Sequence, residues 1–242
     1  MKSLQCYVLW VMYSLGSLLV SIWIAWQLSA QANFFYPAWY SFLNIDQTIA
    51  ETMPRHLYKK DFIATDKDEH IRLFAEIVEA IQTNGEGLEQ IHYYSPQGKE
   101  LGVLLTESEV IHLQDVATLV SLLDWYCVAA VIYCLLVMAA IIFFRVNMPS
   151  VKNIFYSMLA VITVSVLIVL IIGAKEFFYW LHTVIFPSGH QWFFYYEESL
   201  MSTLMKAPAL FAPITVQLVL TGMTIWAIHI YVIRRFSGFK LV

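Results

Sequence analysis

Charge is what this sequence has least of. Only 13% of its 242 residues are Asp, Glu, Lys or Arg, and 60% are hydrophobic; a soluble domain carries roughly 25% charged residues. The formal net charge is −4 and no basic stripe occurs, which excludes a strongly basic nucleic-acid binder. Cysteine is scarce as well. Cys6, Cys127 and Cys134 are the three present, and all fall in apolar stretches, so they read as small packing residues rather than a disulfide framework. Nucleophile and cofactor signatures are missing: there is no G-x-S-x-G, P-loop, H-E-x-x-H or CxxC. An enzyme built on this chain would be a histidine acid/base catalyst with no obvious acyl-enzyme residue, and neither a cofactor nor a metal is expected.

The charge deficit is concentrated in long runs. Ser3 to Ile45 carries no charge, with Cys6 to Leu28 as its apolar part; Trp125 to Phe144, Asn153 to Ala174 and Ala207 to Ile233 are the other three. Each is long enough as a helix to cross a hydrocarbon core about 30 Å thick, and in lipid only a helix satisfies its own backbone. The expected fold is therefore an α-helical integral membrane protein. It has four spans (1–30, 123–145, 153–174 and 207–233) and a tail at 234–242. The first run is longer than a signal-peptide core and lacks a clean A-x-A site, so it reads as an uncleaved helix. Lys2, Arg145, Lys152, Arg234, Arg235 and Lys240 fall on one side if the chain starts in the cytoplasm, which places both termini inside by the positive-inside rule.

Two segments then lie outside. The first, 31–122, opens with an aromatic belt, Phe34-Phe35-Tyr36-Pro37-Ala38-Trp39-Tyr40. A capping box, Asp66-x-x-Glu69, starts a helix with an apolar stripe at Ile71, Phe74, Val78 and Ile81, and Asn84-Gly85 ends it. Leu88 to Tyr94 and Leu101 to Leu105 flank Ser95-Pro96-Gln97-Gly98, a strand–turn–strand pattern. A second box, Thr106-x-x-Glu109, opens a helix that runs through His112 and Asp115 towards the second span. These elements make a small α+β extracytoplasmic cap. The second outer segment, 175–206, is dense in aromatics between Phe177 and Tyr196 and turns at Pro187-Ser188-Gly189, the composition of an interfacial or re-entrant segment.

Seven histidines carry the candidate chemistry. His56, His70 and His92 lie in polar stretches and are expected at a solvated surface; His229, near the inner end of the fourth span, is expected to pack or snorkel. His112 and Asp115 share a helical face at i and i+3, where a carboxylate can orient an imidazole and stabilise its cation. The bland alternative is a surface pair above the membrane. His182 sits within Phe178 to Pro187, where a titratable group is costly and suggests function; its bland alternative is an interfacial ring. Glu197 and Glu198 follow, as candidate partners or as solvated charges at a helix start.

Four helices, an outer domain between the first two, His112-Leu113-x-Asp115-Val116, and Phe178-x-x-x-His182-x-x-x-Phe186-Pro187 followed by Trp192-x-Phe194 resemble the lipoprotein intramolecular transacylase family. Glu198 departs from the expected pattern, where Asp is preferred, and His190 has no counterpart in it. The resemblance implies a bacterial cytoplasmic-membrane enzyme with its active site on the extracytoplasmic face and a diacylated lipoprotein and membrane lipid as partners. It implies transfer of the sn-2 acyl chain of the diacylglyceryl-cysteine to that cysteine's α-amino group. It further implies His112 and His182 as base and acid or oxyanion partner, Asp115 orienting His112, Glu198 as a supporting carboxylate, and Trp180, Phe186 and Trp192 lining the substrate site. Two other classes stay open on the residues alone: a non-catalytic membrane assembly or chaperone factor, suggested by the missing nucleophile motif, and a metal-dependent membrane hydrolase.

Overall fold

The computed structural model describes residues 2–236. The end of the expected tail, 237–242 with Lys240, lies outside them, as do the side chains of Lys2 and Cys6. Four helices are long and apolar enough to cross a membrane: Tyr7–Gln31, Glu107–Phe143, Lys152–Ile172 and Phe211–Arg235. The protein is thus a multi-pass membrane protein. The chain divides into two compact units, Met1–Gln27 with Asp124–Leu181 and Leu218–Val242, and Leu28–Leu123 with His182–Gln217.

The first unit is built from most of helices α1 (Lys2–Gln31), α6 (Val151–Ile172) and α9 (Phe211–Phe236) and the later part of α5 (Glu107–Phe143). Its buried centre is Trp10, Tyr13, Val137, Ile141, Met158 and Trp226. Side chains such as Leu135, Leu136 and Ile171 are 66%, 66% and 84% exposed, the distribution expected where the solvent is lipid and apolar surface needs no cover. Helix contact instead depends on small residues: a Cβ on Gly222 would lie 3.0 Å from the backbone of Ile22. Two polar pairs join α1 to α9 across this centre. Trp226 Nε1 donates to Ser14 O at 3.2 Å, and His229 Nε2 meets Tyr13 OH at 2.8 Å, so His229 packs against a tyrosine. Pro213 lies in the first turn of α9, where an N–H has no intrahelical acceptor to lose. The helix begins at Phe211, not at Ala207.

The second unit holds α2 (Tyr36–Phe42), α3 (Ile45–Thr52), α4 (Lys67–Gln82), a two-stranded hairpin and α8 (Leu200–Leu204). Asp66 caps α4, accepting from Glu69 N at 2.9 Å. The buried face is His70, Leu73, Phe74, Ile77 and Val78. It is rotated from the stripe read in the sequence, and leaves Ile71 and Ile81 half-buried. The reason is stacking from one side: Phe74 lies parallel to Tyr36 at 4.0 Å between ring centroids, and Phe62 covers His70 at 5.1 Å. Strands β1 (His92–Tyr94) and β2 (Glu100–Val103) pair antiparallel with Tyr93 opposite Gly102; Leu88–Gln90 is a 3-10 turn rather than the start of the strand. At the end of α4, Gly85 adopts φ +88° and donates to Ala80 O at 2.7 Å. Beside it Gln114 Nε2 of α5 donates to Asn84 O at 2.9 Å. The segment after the third span is a regular helix, α7 (Ala174–Ile185), set off by Gly173 at φ +98°.

Candidate functional site

The site starts from a helix cap. Thr106 N donates to Glu109 Oε2 at 2.6 Å and Glu109 N to Thr106 Oγ1 at 3.4 Å, so the box expected from the sequence is closed in both directions. Helix α5 continues without interruption for 37 residues. Glu109, His112 and Asp115 follow at three-residue intervals, and side chains at that spacing share a helical face.

The imidazole of His182, from the last turn of α7, stands opposite. The two histidine ring centroids are 6.5 Å apart and the planes are inclined by 30°. Phe186, one turn beyond His182, touches both rings, 5.1 Å from His112 and 5.2 Å from His182. The irregular stretch that follows adds Trp192 at 4.9 Å from His182 and Phe194 at 5.9 Å from His112. Residues 70 positions apart in the chain (182 − 112) therefore meet inside one aromatic cage. His112 Nδ1 is buried and has no hydrogen-bond partner among the described residues. Two imidazoles so placed can serve one small reacting group, one ring taking a proton while the other gives one.

The two carboxylates beside His112 have other partners. Asp115 Oδ2 accepts from His190 Nδ1 at 2.7 Å. That carboxylate oxygen is engaged by the one histidine that the sequence left without a role, while no hydrogen bond joins Asp115 to His112 among the described residues. Glu109, only 1% exposed, accepts from the Ser199 hydroxyl through Oε1. Glu198 is exposed, its backbone N–H donates to Tyr195 O at 3.1 Å, and no contact ties its carboxylate to either histidine among the described residues. Trp180 belongs to the other unit, is 57% exposed, and meets Phe177 at 5.8 Å; two positions before His182 on a helix, it faces a different side. Phe186 and Trp192 are placed at the rings, as described.

Two of the cap histidines correct the surface expectation. His56 is 1% and His70 4% exposed. His56 Nδ1 accepts from Tyr58 N at 3.2 Å and from Lys59 N at 3.0 Å, and burial lowers its pKa. Thr65 Oγ1 gives its proton to Phe62 O, so at 2.6 Å it accepts from His70 Nε2, and His70 Nδ1 accepts from Tyr40 OH at 2.9 Å. Burial pushes the His70 pKa down to about 4 against the pull of Asp66, Glu69 and Asp46. Both are folding residues. His92, by contrast, is partly exposed and bonds Glu100 Oε1 at 2.6 Å. No group of three His, Cys, Asp or Glu side chains stands where it could share a metal ion among the described residues.

His190, Glu109 and Ser199 are site residues that the sequence did not disclose. His190 follows a turn in a loop without a motif, and Glu109 was legible only as a cap. Phe194 was legible as part of the Trp192-x-Phe194 motif, but without a role at His112.

The family model described as lipoprotein intramolecular transacylase Lit matches residues 8–206. No curated protein matches the sequence. Among solved structures, the membrane integral lipoprotein intramolecular transacylase Lit from Bacillus cereus aligns with a TM-score of 0.63 and 14% identity, over 97% of this chain and 96% of that one. A form of the same protein with one histidine replaced by arginine aligns with a TM-score of 0.63 and 16% identity, over 98% of this chain and 91% of that one. At such identities the likeness shows a shared fold.

Proposed function

The chain belongs to the lipoprotein intramolecular transacylase family, and from that premise we propose that it moves the sn-2 acyl chain of a diacylglyceryl-cysteine to the same cysteine's α-amino group, leaving a lyso-form lipoprotein. As a member it is an acyltransferase of lipoproteins. The amine nitrogen attacks the ester carbonyl, the N–C bond forms, and the C–O bond to the glycerol breaks. The amine loses a proton and the departing glycerol oxygen gains one, so nothing is left over. Ester and amine belong to one molecule, and holding them in contact supplies several kcal/mol of the barrier, about 7–11 in the best cases.

The observation that carries this reading is the pair of imidazoles 6.5 Å apart in an aromatic cage. Histidine holds or releases a proton near neutral pH, and two of them supply the base and the acid that the transfer needs. His112 Nδ1, buried and unpartnered, is suited to take the amine proton, with His182 returning one to the glycerol oxygen. Trp192 and Phe186 supply apolar surface for the glycerol and the acyl chain. The positive-inside pattern supports a site on the extracytoplasmic face, where mature lipoproteins carry their lipid.

The test is the N-terminal lipid of a reporter lipoprotein in a bacterial host without N-acyltransferase. Expressing this protein is expected to yield the N-acyl, S-monoacylglyceryl form by mass spectrometry, and His112→Ala or His182→Ala to abolish it. Lyso-form persisting in both variants would overturn the site assignment.

A further inference from the structure

Two carboxylates flank His112 on helix α5, Glu109 three residues before it and Asp115 three residues after. Each binds a side chain from the same irregular segment. Glu109 accepts from Ser199, at the segment's C-terminal end, and Asp115 accepts from His190, at its N-terminal end. Between these two ties lie Trp192 and Phe194, whose rings cover His182 and His112. The stretch 190–199 is thus a strap fastened at both ends across the histidine pair.

The two fastenings differ in kind. Glu109 and Ser199 are each 1% exposed, and Glu109 is held further by Thr106 N at 2.6 Å, while Ser202 N donates to Ser199 Oγ at 2.9 Å. Breaking that end would strand a buried carboxylate. The side chains of His190 and Asp115 are 42% and 18% exposed, and the bond between them, at 2.7 Å, is open to water. A hydrogen bond open to water in this way contributes little net stability and is readily exchanged for solvent. Next to it the backbone turn is closed by a single bond from His190 N to Pro187 O at 3.2 Å. The strap therefore has a fixed end and a releasable end, while the nitrogen it helps to cover, His112 Nδ1, is out of reach of solvent. An amine can come to that atom only after a neighbouring ring has moved.

We propose that His190 is a positioning residue that acts through Asp115: their bond latches the strap 190–199 over the histidine pair, and its release at that end admits the lipoprotein's N-terminal cysteine. The inference rests on the transacylase reading of the site. Closing the latch adds the Trp192 and Phe194 surfaces to a bound substrate without touching the reacting atoms, so it contributes to binding and not to the chemical step.

The experiment uses the full chain in detergent or in a bilayer, with a synthetic diacylated lipopeptide as substrate. His190→Ala and Asp115→Ala are each expected to raise KM on the order of tenfold with kcat within about twofold, the pattern of lost uniform binding. His190→Asn and Asp115→Asn, which keep a donor and an acceptor, are expected to restore most of the loss, and the double alanine variant to be no worse than either single one. A drop in kcat for Asp115→Asn at unchanged KM would make Asp115 a direct partner of His112 and overturn the latch. So would wild-type kinetics in both single alanine variants. Hydrogen exchange separates this inference from the activity itself: in His190→Ala, amides 191–195 are expected to exchange at least about tenfold faster while those of 200–204 keep their rate. Equal acceleration of both stretches, or of neither, would overturn the division into a fixed and a releasable end. If His112→Ala proves active, the transacylase assignment of the histidines fails while the exchange result still decides the latch.

Discussion

At the scale of single residues, the histidines of this protein divide by what surrounds them. His70 is neutral because both ring nitrogens are committed, Nε2 as donor to Thr65 and Nδ1 as acceptor from Tyr40. A proton added at Nδ1 would face the Tyr40 hydroxyl hydrogen, and burial already disfavours the cation. Its folded pKa, about 4, lies below the ordinary histidine value of about 6.5, so the unfolded chain binds the proton first. The stability it contributes is present above about pH 6.5 and is lost as pH falls towards 4, by up to about 3 kcal/mol. Thermal unfolding followed by tryptophan fluorescence should therefore show Tm falling between pH 7 and 4.5, and less steeply in His70→Gln. An unchanged slope in that variant would remove His70 from the acid response. Glu109 makes the complementary case. It is a buried carboxylate with Ser199 Oγ and Thr106 N as its partners, and Glu109→Ala is expected to cost about 2 kcal/mol, with Glu109→Gln costing less because it keeps an acceptor. Equal Tm values for the two would show that the bonds contribute nothing.

At the scale of elements, the cap is held to the first turns of α5 by a helix end. Gly85 must adopt φ +88°, and a Cβ there would lie 2.0 Å from Gln114 Oε1. Gly85→Ala thus combines a strained backbone with a collision, and a loss of about 1–3 kcal/mol is expected. Adding Gln114→Ala should recover the part due to collision and leave the backbone part, which comparing the Tm of the single and double variants would reveal. Full recovery would mean that the left-handed conformation has no cost here. The capping boxes and the hairpin were readable in advance because their signals are local: Asp66, Thr106 and the Ser95-Pro96-Gln97-Gly98 turn act within a few residues of themselves. The rotated face of α4 was not, because Tyr36 and Phe62, which decide which side of α4 is covered, come from elements with no periodic relation to it.

At the scale of the whole molecule, the four long apolar helices and the charges between them specify a topology. On the proposed orientation, alkaline phosphatase fused after residue 90 is expected to be active, within the cap, and the same reporter fused after residue 148 inactive, beside Arg145 and Lys152. Activity at the second junction would invert the proposed orientation and remove the site from the extracytoplasmic face.

Sequence alone determined that the chain crosses a membrane and where two of its helices are capped, and it singled out His112 and His182 for attention. Those conclusions depend on hydrophobicity, helical period and cap chemistry, which are properties of neighbours in the chain. Only the tertiary structure decided that these two rings lie 6.5 Å apart, that Asp115 is bonded to His190, and that His56 and His70 are buried. Each is a contact between segments far apart in sequence, or a burial produced by such contacts. A single sequence carries the residue types needed for such meetings but no measure of the distances between them.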